Sequence, residues 1–333
     1  MNSVLQALQR LANPAQFENA AVEKLLLYLI IVCYEADAIT QTEDLSHEDE
    51  QAELSDEARA AQFETQTLFD GLNSLVSTLF STELLPNAFT TIVRRIPQTS
   101  LTSKSRPAYP DLSPMALFQA DWESQIAIYT LYRLGISFPA QLQYLFINNV
   151  NGLSQQRVMS LRAYTHFYLT KPVLLENVKR ATQILQKEDL EDVTIDTKSD
   201  GIYMQLMIDM TPVVVHFVFS DYYPLDISIL IHNQNSFLRA ASVEKWQVMI
   251  RKRLSNNRPF YMSMVLIAKS LLHHVSNLEP CPICYCVLHP STHSLPDRNC
   301  SHCVGRFHSS CLTTWFKNSQ SHNCPLCRQP IAL

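Results

Sequence analysis

The first part of the chain, up to about residue 188, carries apolar residues at the three- and four-residue spacing of amphipathic helices. Six segments show this pattern: Val4–Leu11, Val22–Tyr34, Phe63–Leu84, Met115–Leu134, Leu142–Asn149 and Ser160–Gln186. The predicted joins between helices carry prolines, namely Pro14, Pro86, Pro97, Pro139 and Pro172. Antiparallel helices packed in layers, as in an α-solenoid, would bury these stripes. Because no clean repeat period is evident, an irregular bundle is the alternative.

Two segments interrupt the helical pattern. Residues 43–57 contain eight acidic residues and few apolar ones, so they predict a solvated loop. The alternative, functional interpretation is an acidic segment that docks a basic partner. Residues 99–114 are rich in serine, threonine and proline, which is typical of a linker or a long loop.

The pattern changes near residue 189 to short, alternating or β-branched runs that predict strands. The predicted strands are Val193–Thr197, Ile202–Asp209, Val213–Phe219 and Ile227–Ile231. Hairpin-length gaps between them imply an antiparallel meander. Two helical patterns follow, Val243–Leu254 and Pro259–Val275, with Ser242 as a candidate cap of the first and Pro259 in the first turn of the second. Residues 189–276 therefore predict a small α+β domain with helices on one face of the sheet.

Composition places the chain among globular proteins. Its 333 residues are 47% hydrophobic and 17% charged, with a net charge of −5, so any contact with nucleic acid must be a local patch. The N-terminus lacks the apolar region of a signal peptide, and the apolar run Leu25–Cys33 is about half a membrane span. We therefore expect a buried helix there. Since nearly all cysteines fall in a zinc pattern, we expect a reducing, cytosolic or nuclear compartment.

The segment from Cys281 to Arg328 has the spacing of a two-zinc module. Eight candidate ligands occur as four pairs, each separated by two residues: Cys281/Cys284, Cys300/Cys303, His308/Cys311 and Cys324/Cys327. This spacing lets both side chains of a tight turn point at one metal ion. All ligand positions are filled, so no open coordination site remains for a catalytic water, which argues against a metallohydrolase. We treat the further donors Cys286, His289, His293 and His302 as bystanders.

Residues 281–328 resemble a RING domain, the module by which many ubiquitin ligases bind a charged ubiquitin-conjugating enzyme (E2). In that family the pairs interleave, which implies Cys281, Cys284, His308 and Cys311 around one zinc ion and Cys300, Cys303, Cys324 and Cys327 around a second. The order departs from the commonest RING pattern because cysteine stands fourth and histidine fifth. PHD fingers, which read histone tails, share that order. Ile283, the position of Trp315 after Cys311, and Pro325 with Leu326 in the last pair favour a RING.

The resemblance also implies roles for surface residues. The apolar E2-binding patch would consist of Ile283, Trp315, Pro325 and Leu326. The alternative for Trp315 is that it only covers the apolar interior of a small domain. Arg328 matches the linchpin position that bridges E2 and ubiquitin. A ligase of this type supplies no nucleophile. Cys33 and Cys286 lack the setting of a covalent ubiquitin carrier, so a thioester-forming ligase is disfavoured.

A wider resemblance runs from residue 189 to the end. The motifs YYPL, CPICY, HSLPDRNC, FHSSCLTTWF and CPLCR are similar to those of the listerin family of RING-type E3 ligases. That resemblance implies HEAT-like helices over residues 1–188, an RWD domain over 189–276 and the RING over 277–333. Listerin-family ligases are very long, so this chain corresponds to their end portion, as a fragment, a truncated gene model or a short relative.

Listerin-family ligases act in ribosome-associated quality control. The resemblance therefore implies ubiquitin transfer, in the cytosol, to nascent chains stalled on the large (60S) ribosomal subunit with peptidyl-tRNA, assisted by a partner that recognises the exposed tRNA. Arg251, Lys252, Arg253 and Arg258 form a basic cluster that is a candidate ribosome contact or an ordinary solvated helix face. The competing functions are a non-catalytic, PHD-like zinc reader and a helical scaffold capped by a zinc domain.

Overall fold

The structure, a computed structural model, describes residues 33, 84–98, 110, 112, 122–190, 192–209, 211–233, 238, 240–256 and 258–331. Of the helix predicted over Val22–Tyr34, only Cys33 is described, and it is helical and fully buried. The predicted helix Val4–Leu11 and the acidic segment 43–57 lie outside the described residues, as does most of the segment 99–114.

Five α-helices lie between Leu84 and Lys187 in the part of the chain that the structure describes. They are α1 (Leu84–Arg95), α2 (Trp122–Ser137), α3 (Pro139–Asn149), α4 (Gln155–Tyr164) and α5 (Thr170–Lys187). The prediction of helices before residue 188 is confirmed for these residues, but α1 was not predicted. The sequence pattern placed a boundary at Pro86, whereas Pro86 lies in the first turn of α1, where a missing N–H removes no helical bond.

Pro172 was also wrongly assigned to a join, because the chain stays helical from Gln155 to Lys187. A five-residue π-helical turn, Thr165–Leu169, lies between α4 and α5, and the N–H of Thr170 donates to the carbonyl of Thr165. The Thr170 hydroxyl donates to the Tyr223 carbonyl at 2.7 Å. The wider turn carries the helix past a proline that has no N–H to donate.

The four helices α1 to α4 share one core. Buried residues of this core include Phe89 of α1, Ile126 and Leu131 of α2, Leu142 of α3 and Leu161 of α4. Tyr164 and Tyr168 pack with ring centroids 4.9 Å apart. The apolar stripes of the sequence are therefore buried between helices, and a HEAT-like pairing of those helices stays a prediction.

The four strands form one sheet in sequence order, and the first three pair antiparallel as the predicted meander requires. Strands β1 (Val193–Lys198), β2 (Gly201–Ile208), β3 (Thr211–Phe219) and β4 (Ile229–Asn233) lie in the order β1-β2-β3-β4. The register pairs Ile195 with Met204 and Met204 with Val215. These side chains are buried while their neighbours along each strand are more exposed, so one face of the sheet covers a core.

Two helices follow the sheet, α6 (Ala240–Ser255) and α7 (Phe260–Ser276). Two details of the sequence prediction are wrong. Ser242 lies inside the first turn of α6 and is not its cap, because the helix begins two residues earlier. Pro259 precedes the first residue of α7 instead of lying within its first turn. Helix ends depend on local hydrogen bonds that the apolar pattern does not encode.

The chain divides into two compact units by its internal contacts. The first comprises the described residues up to Asn177 together with Phe219–Ser228 and Arg251–Phe260. The second comprises Val178–Val218, Ile229–Ile250 and Tyr261 onward, so it contains most of the sheet and all the zinc ligands. The three-domain division at residues 188 and 276 stays a prediction. Among the described helices, none is long and apolar enough to cross a membrane.

Replacing Gly201 with alanine is expected to destabilise the sheet by about 2 kcal/mol or more. Gly201 begins β2 with φ +148°, and an added Cβ would lie 2.1 Å from the Phe217 carbonyl oxygen. The urea midpoint followed by circular dichroism measures the effect. Gly152→Ala is the matched control, because its Cβ would meet no atom within 4 Å. A Gly201→Ala midpoint equal to that of the control would contradict the strain argument.

Candidate metal centres

Two of the cysteine pairs form the same backbone knuckle. The N–H of Tyr285 donates to the Cys281 carbonyl at 2.7 Å, and the N–H of Arg328 donates to the Cys324 carbonyl at 3.0 Å. Tyr285 and Arg328 both have left-handed backbones, with φ of 59° and 61°. The turn reverses the chain directly after the second cysteine, so both thiols of a pair face the same point.

The first quartet joins Cys281, Cys284, His308 and Cys311, whose donor atoms all lie within 4.8 Å of one another. His308 is fully buried, and its Nδ1 lies 3.4 Å from the Cys284 sulfur and 3.7 Å from the Cys311 sulfur. Its Nε2 lies 3.1 Å from the Val287 carbonyl oxygen. With the proton on Nε2, the Nδ1 lone pair faces the centre of the quartet.

The second quartet joins Cys300, Cys303, Cys324 and Cys327, again with all donor atoms within 4.8 Å. The sulfurs of Cys300 and Cys327 are 3.7 Å apart, as are those of Cys303 and Cys324. A disulfide requires about 2.05 Å, so these cysteines are not bonded to one another. The structure thus brings together the two interleaved quartets that the RING resemblance implies.

The quartets fit zinc. Zinc–sulfur bonds of about 2.3 Å arranged tetrahedrally place the sulfurs about 3.8 Å apart, close to the observed separations. When bound, zinc supplies a structural cross-link and no reaction chemistry. All eight ligand positions come from the protein, so the ions hold the loops in shape.

Electrostatics also favour a dication at these sites. The backbone N–H of His302 lies 3.4 Å from the Cys300 sulfur and lowers the pKa of that thiol to about 6. In the other quartet, burial and the neighbouring charge of Cys281 raise the pKa of Cys311 to about 12. Within each quartet, neighbouring cysteines thus help to raise the pKa of one thiol, Cys311 in the first and Cys303 in the second. A bound cation of charge +2 removes that repulsion and stabilises all the thiolates together.

Helix α8 (Ser309–Ser319) carries the predicted E2-binding tryptophan. The Asp297 carboxylate accepts the Ser309 N–H at 2.8 Å and so caps the helix start. Leu312 and Phe316 are buried in the core of the zinc-binding domain. Trp315 lies on the outer side of the helix, 38% exposed, and its Nε1–H donates to the Asn323 carbonyl at 3.1 Å. That bond attaches the indole to the segment that leads into the last cysteine pair.

The other predicted E2-binding residues lie on the same domain with different exposure. Ile283 is partly buried and packs against the domain core. Pro325 is partly buried, Leu326 is 54% exposed, and Arg328 is exposed at its left-handed position. The assignment of these residues to E2 binding stays a prediction.

Sequence reasoning missed two exposed apolar residues beside the quartets, and the two quartets contain none of the four donors treated as bystanders. Tyr285 is 81% exposed and Val304 is 86% exposed, each directly after the second cysteine of a pair. Among the bystanders, His289 uses Nδ1 to accept the N–H groups of Ser291 and Thr292, both at 3.3 Å. The sequence carries no general signal for these two residues, because Leu312, which also follows the second cysteine of a pair, is buried.

The predicted basic cluster lies at the end of α6 and just beyond it. Arg251 and Lys252 are exposed, whereas Arg253 and Arg258 are partly buried. The N–H of Arg258 donates to the Arg253 carbonyl at 2.9 Å, which holds the turn after the helix. All four belong to the first compact unit.

A comparison with known families identifies the zinc-binding segment. The ring finger domain family matches residues 279–328. This segment is a RING finger domain. Together with the two quartets, the match confirms the predicted two zinc ions and argues against the PHD-like alternative.

A comparison with curated proteins extends the likeness beyond the RING. The E3 ubiquitin-protein ligase listerin of Saccharomyces cerevisiae is 26% identical over 169 residues, which are 48% of this chain and 11% of that protein. The C-terminal part of this chain is similar to listerin. The listerin of Neurospora crassa is 34% identical over 113 residues, 33% of this chain and 7% of that protein. The listerin of Caenorhabditis elegans is 31% identical over 107 residues, which are 32% of this chain and 7% of that protein. The chain thus spans about a tenth or less of these listerins.

Proposed function

We propose that this chain is a RING-type E3 ubiquitin ligase that binds a ubiquitin-charged E2 and promotes transfer to substrate lysines. The observation that carries the proposal is a RING finger domain with both ligand quartets assembled and an exposed tryptophan on the helix that also carries Cys311. Relatives with similar C-terminal parts are named E3 ubiquitin-protein ligases, which supports the same activity here.

Catalysis in this proposal is the orientation of another enzyme's thioester. Trp315 is held at both ends of its side chain, by helix α8 and by the bond to the Asn323 carbonyl, so docking E2 against it costs little side-chain entropy. The partly buried Ile283 and Pro325, with the exposed Leu326, extend the apolar contact. No residue of the ligase forms a covalent bond to ubiquitin.

Arg328 is the proposed linchpin. The knuckle bond from its own N–H to the Cys324 carbonyl fixes its backbone beside the second zinc site. Its guanidinium offers a fork of donors that can contact E2 and ubiquitin carbonyls together and hold the thioester in a reactive conformation. The reaction is faster because the thioester is held in its reactive conformation before a substrate lysine attacks it.

The proposed substrates are nascent chains stalled on the large (60S) ribosomal subunit, in the cytosol. The likeness to listerin supports this part of the proposal. A quality-control partner that recognises the exposed peptidyl-tRNA would assist recruitment. The cluster Arg251, Lys252, Arg253 and Arg258 supplies positive charge that suits ribosomal RNA. Co-sedimentation of the chain with isolated 60S subunits at increasing salt tests this substrate class.

Discharge of ubiquitin from a panel of loaded E2 enzymes to free lysine tests the ligase activity. The wild-type chain is expected to accelerate discharge from at least one E2. Trp315→Ala is expected to weaken E2 binding by about 2 kcal/mol, roughly thirtyfold, because it removes a large aromatic contact at the interface. Val304→Ala, on an 86% exposed residue of the same domain, is the matched control and is expected to behave as wild type. A zinc-loaded wild-type chain that stimulates no E2 would overturn the proposal.

A further inference from the structure

Asp209 lies at the hairpin between β2 and β3, yet its carboxylate contacts the zinc-binding domain. Its Oδ2 accepts the N–H of Val287 at 2.7 Å and the N–H of Leu288 at 3.4 Å. The register pairs Ile208 with Thr211, so Asp209 directly follows the last residue of β2 in the hairpin, and its φ of 52° is left-handed. No sequence motif includes this residue.

The peptide group between Val287 and Leu288 is bonded on both sides. Its N–H donates to Asp209, and its carbonyl oxygen lies 3.1 Å from Nε2 of His308. Hydrogen bonds in such a chain polarise one another, so an acceptor on the N–H side strengthens the carbonyl as an acceptor on the other side. The Asp209 side-chain oxygen is thus linked through one peptide group to the imidazole.

His308 occupies the end of this chain and the edge of the first quartet. Its Nδ1 lies 3.4 Å from the Cys284 sulfur, on the opposite side of the ring from the bond to Val287. Zinc-binding histidines need their second nitrogen held by an acceptor, which fixes the ring orientation and increases the donor strength of the ligating nitrogen. Here the Val287 carbonyl is that acceptor, and Asp209 holds the same peptide group by accepting the Leu288 N–H.

We propose that Asp209 is a positioning residue of the first zinc site, supplied by the sheet. It fixes the Val287–Leu288 peptide, and this peptide fixes His308 with Nδ1 directed at the metal. The loop after Cys284 is held by the same two bonds, so the sheet supports the zinc-binding domain at this point. The inference rests on the zinc sites and not on the proposed ligase activity.

Zinc release from the fully loaded chain to a chromogenic chelator tests the proposal. Asp209→Gly keeps the left-handed backbone and removes the acceptor, so one of the two ions is expected to leave about tenfold faster. Asp209→Asn keeps an oxygen acceptor and also tolerates the left-handed region, so it is expected to release zinc at nearly the wild-type rate. Hydrogen exchange at the Leu288 amide is expected to accelerate only in the glycine variant.

Asp200→Asn is the control for loss of a carboxylate in the same sheet. Asp200 lies at the β1–β2 hairpin and accepts the Tyr203 hydroxyl at 2.7 Å. Its replacement is expected to leave both release rates unchanged. Three results would overturn the proposal: wild-type release in Asp209→Gly, equal acceleration of both ions, or failure of asparagine to restore slow release. Because no E2 is present in this assay, its outcome is independent of the outcome of the discharge assay.

Discussion

His308→Ala is expected to lower the zinc content from two ions per chain to one or fewer and to reduce ubiquitin discharge to the uncatalysed rate. His308 supplies the one nitrogen donor of the first quartet and is fully buried. Structural zinc binding supplies roughly 10–16 kcal/mol of apparent folding free energy in small domains, so losing a ligand removes most of what holds the loops. Metal analysis and the lysine-discharge assay measure the two effects.

Two variants separate the loss of a ligand from the loss of a histidine. His302→Ala removes an exposed side chain between Cys300 and Cys303, while its backbone N–H to the Cys300 sulfur is retained. It is expected to keep two ions and full activity. His308→Cys restores a fourth donor and is expected to recover zinc, since four-cysteine sites are common. Two bound ions in His308→Ala would show that the first quartet is wrongly assigned.

Arg328→Gly is expected to slow discharge by about tenfold to a hundredfold while leaving two zinc ions bound. Hydrogen bonds from a charged donor contribute about 1.5–3 kcal/mol, which corresponds to that range of rates. Glycine is the appropriate replacement because Arg328 has a φ of 61°, where alanine would add backbone strain to the loss of the guanidinium. Single-turnover discharge from a saturating, loaded E2 measures the effect on orientation separately from binding.

Two further variants test whether the effect belongs to the side chain. Arg328→Lys keeps the charge without the planar fork and is expected to recover only part of the rate. Gln320→Gly changes another exposed left-handed position of the same domain, at the end of α8, and is expected to leave discharge unchanged. Equal discharge by the wild type and Arg328→Gly would remove Arg328 from the mechanism.

The zinc-binding domain was the part most open to prediction from sequence. A knuckle is built from a cysteine pair and the turn between its members, so covalent spacing alone nearly determines it. The same holds for the strands, whose alternation of apolar and polar residues reappears as the buried and exposed faces of β1 to β3. Both are short-range features that neighbouring residues control.

Proline positions show where short-range reasoning failed. Pro86 and Pro172 were interpreted as joins, but both lie near the start of helices. Whether a proline ends a helix depends on its place in the first turn and on the turn before it. Just before Pro172, a π turn widens the helix, and the Thr170 hydroxyl donates to the carbonyl of Tyr223, more than fifty positions away.

The sequence by itself determined the eight zinc ligands, the helical character of the described residues between 122 and 187 and the four-stranded sheet, because local spacing and periodicity encode them. Local spacing did not determine how the ligand pairs combine into two quartets. The RING resemblance implied the combination and the tertiary structure shows it, because pairs twenty or more residues apart meet through folding. Only the tertiary structure decided the contact between Asp209 and Val287, which lie 78 positions apart. A hydrogen bond between distant segments leaves no local pattern, so it becomes visible only when the chain is folded.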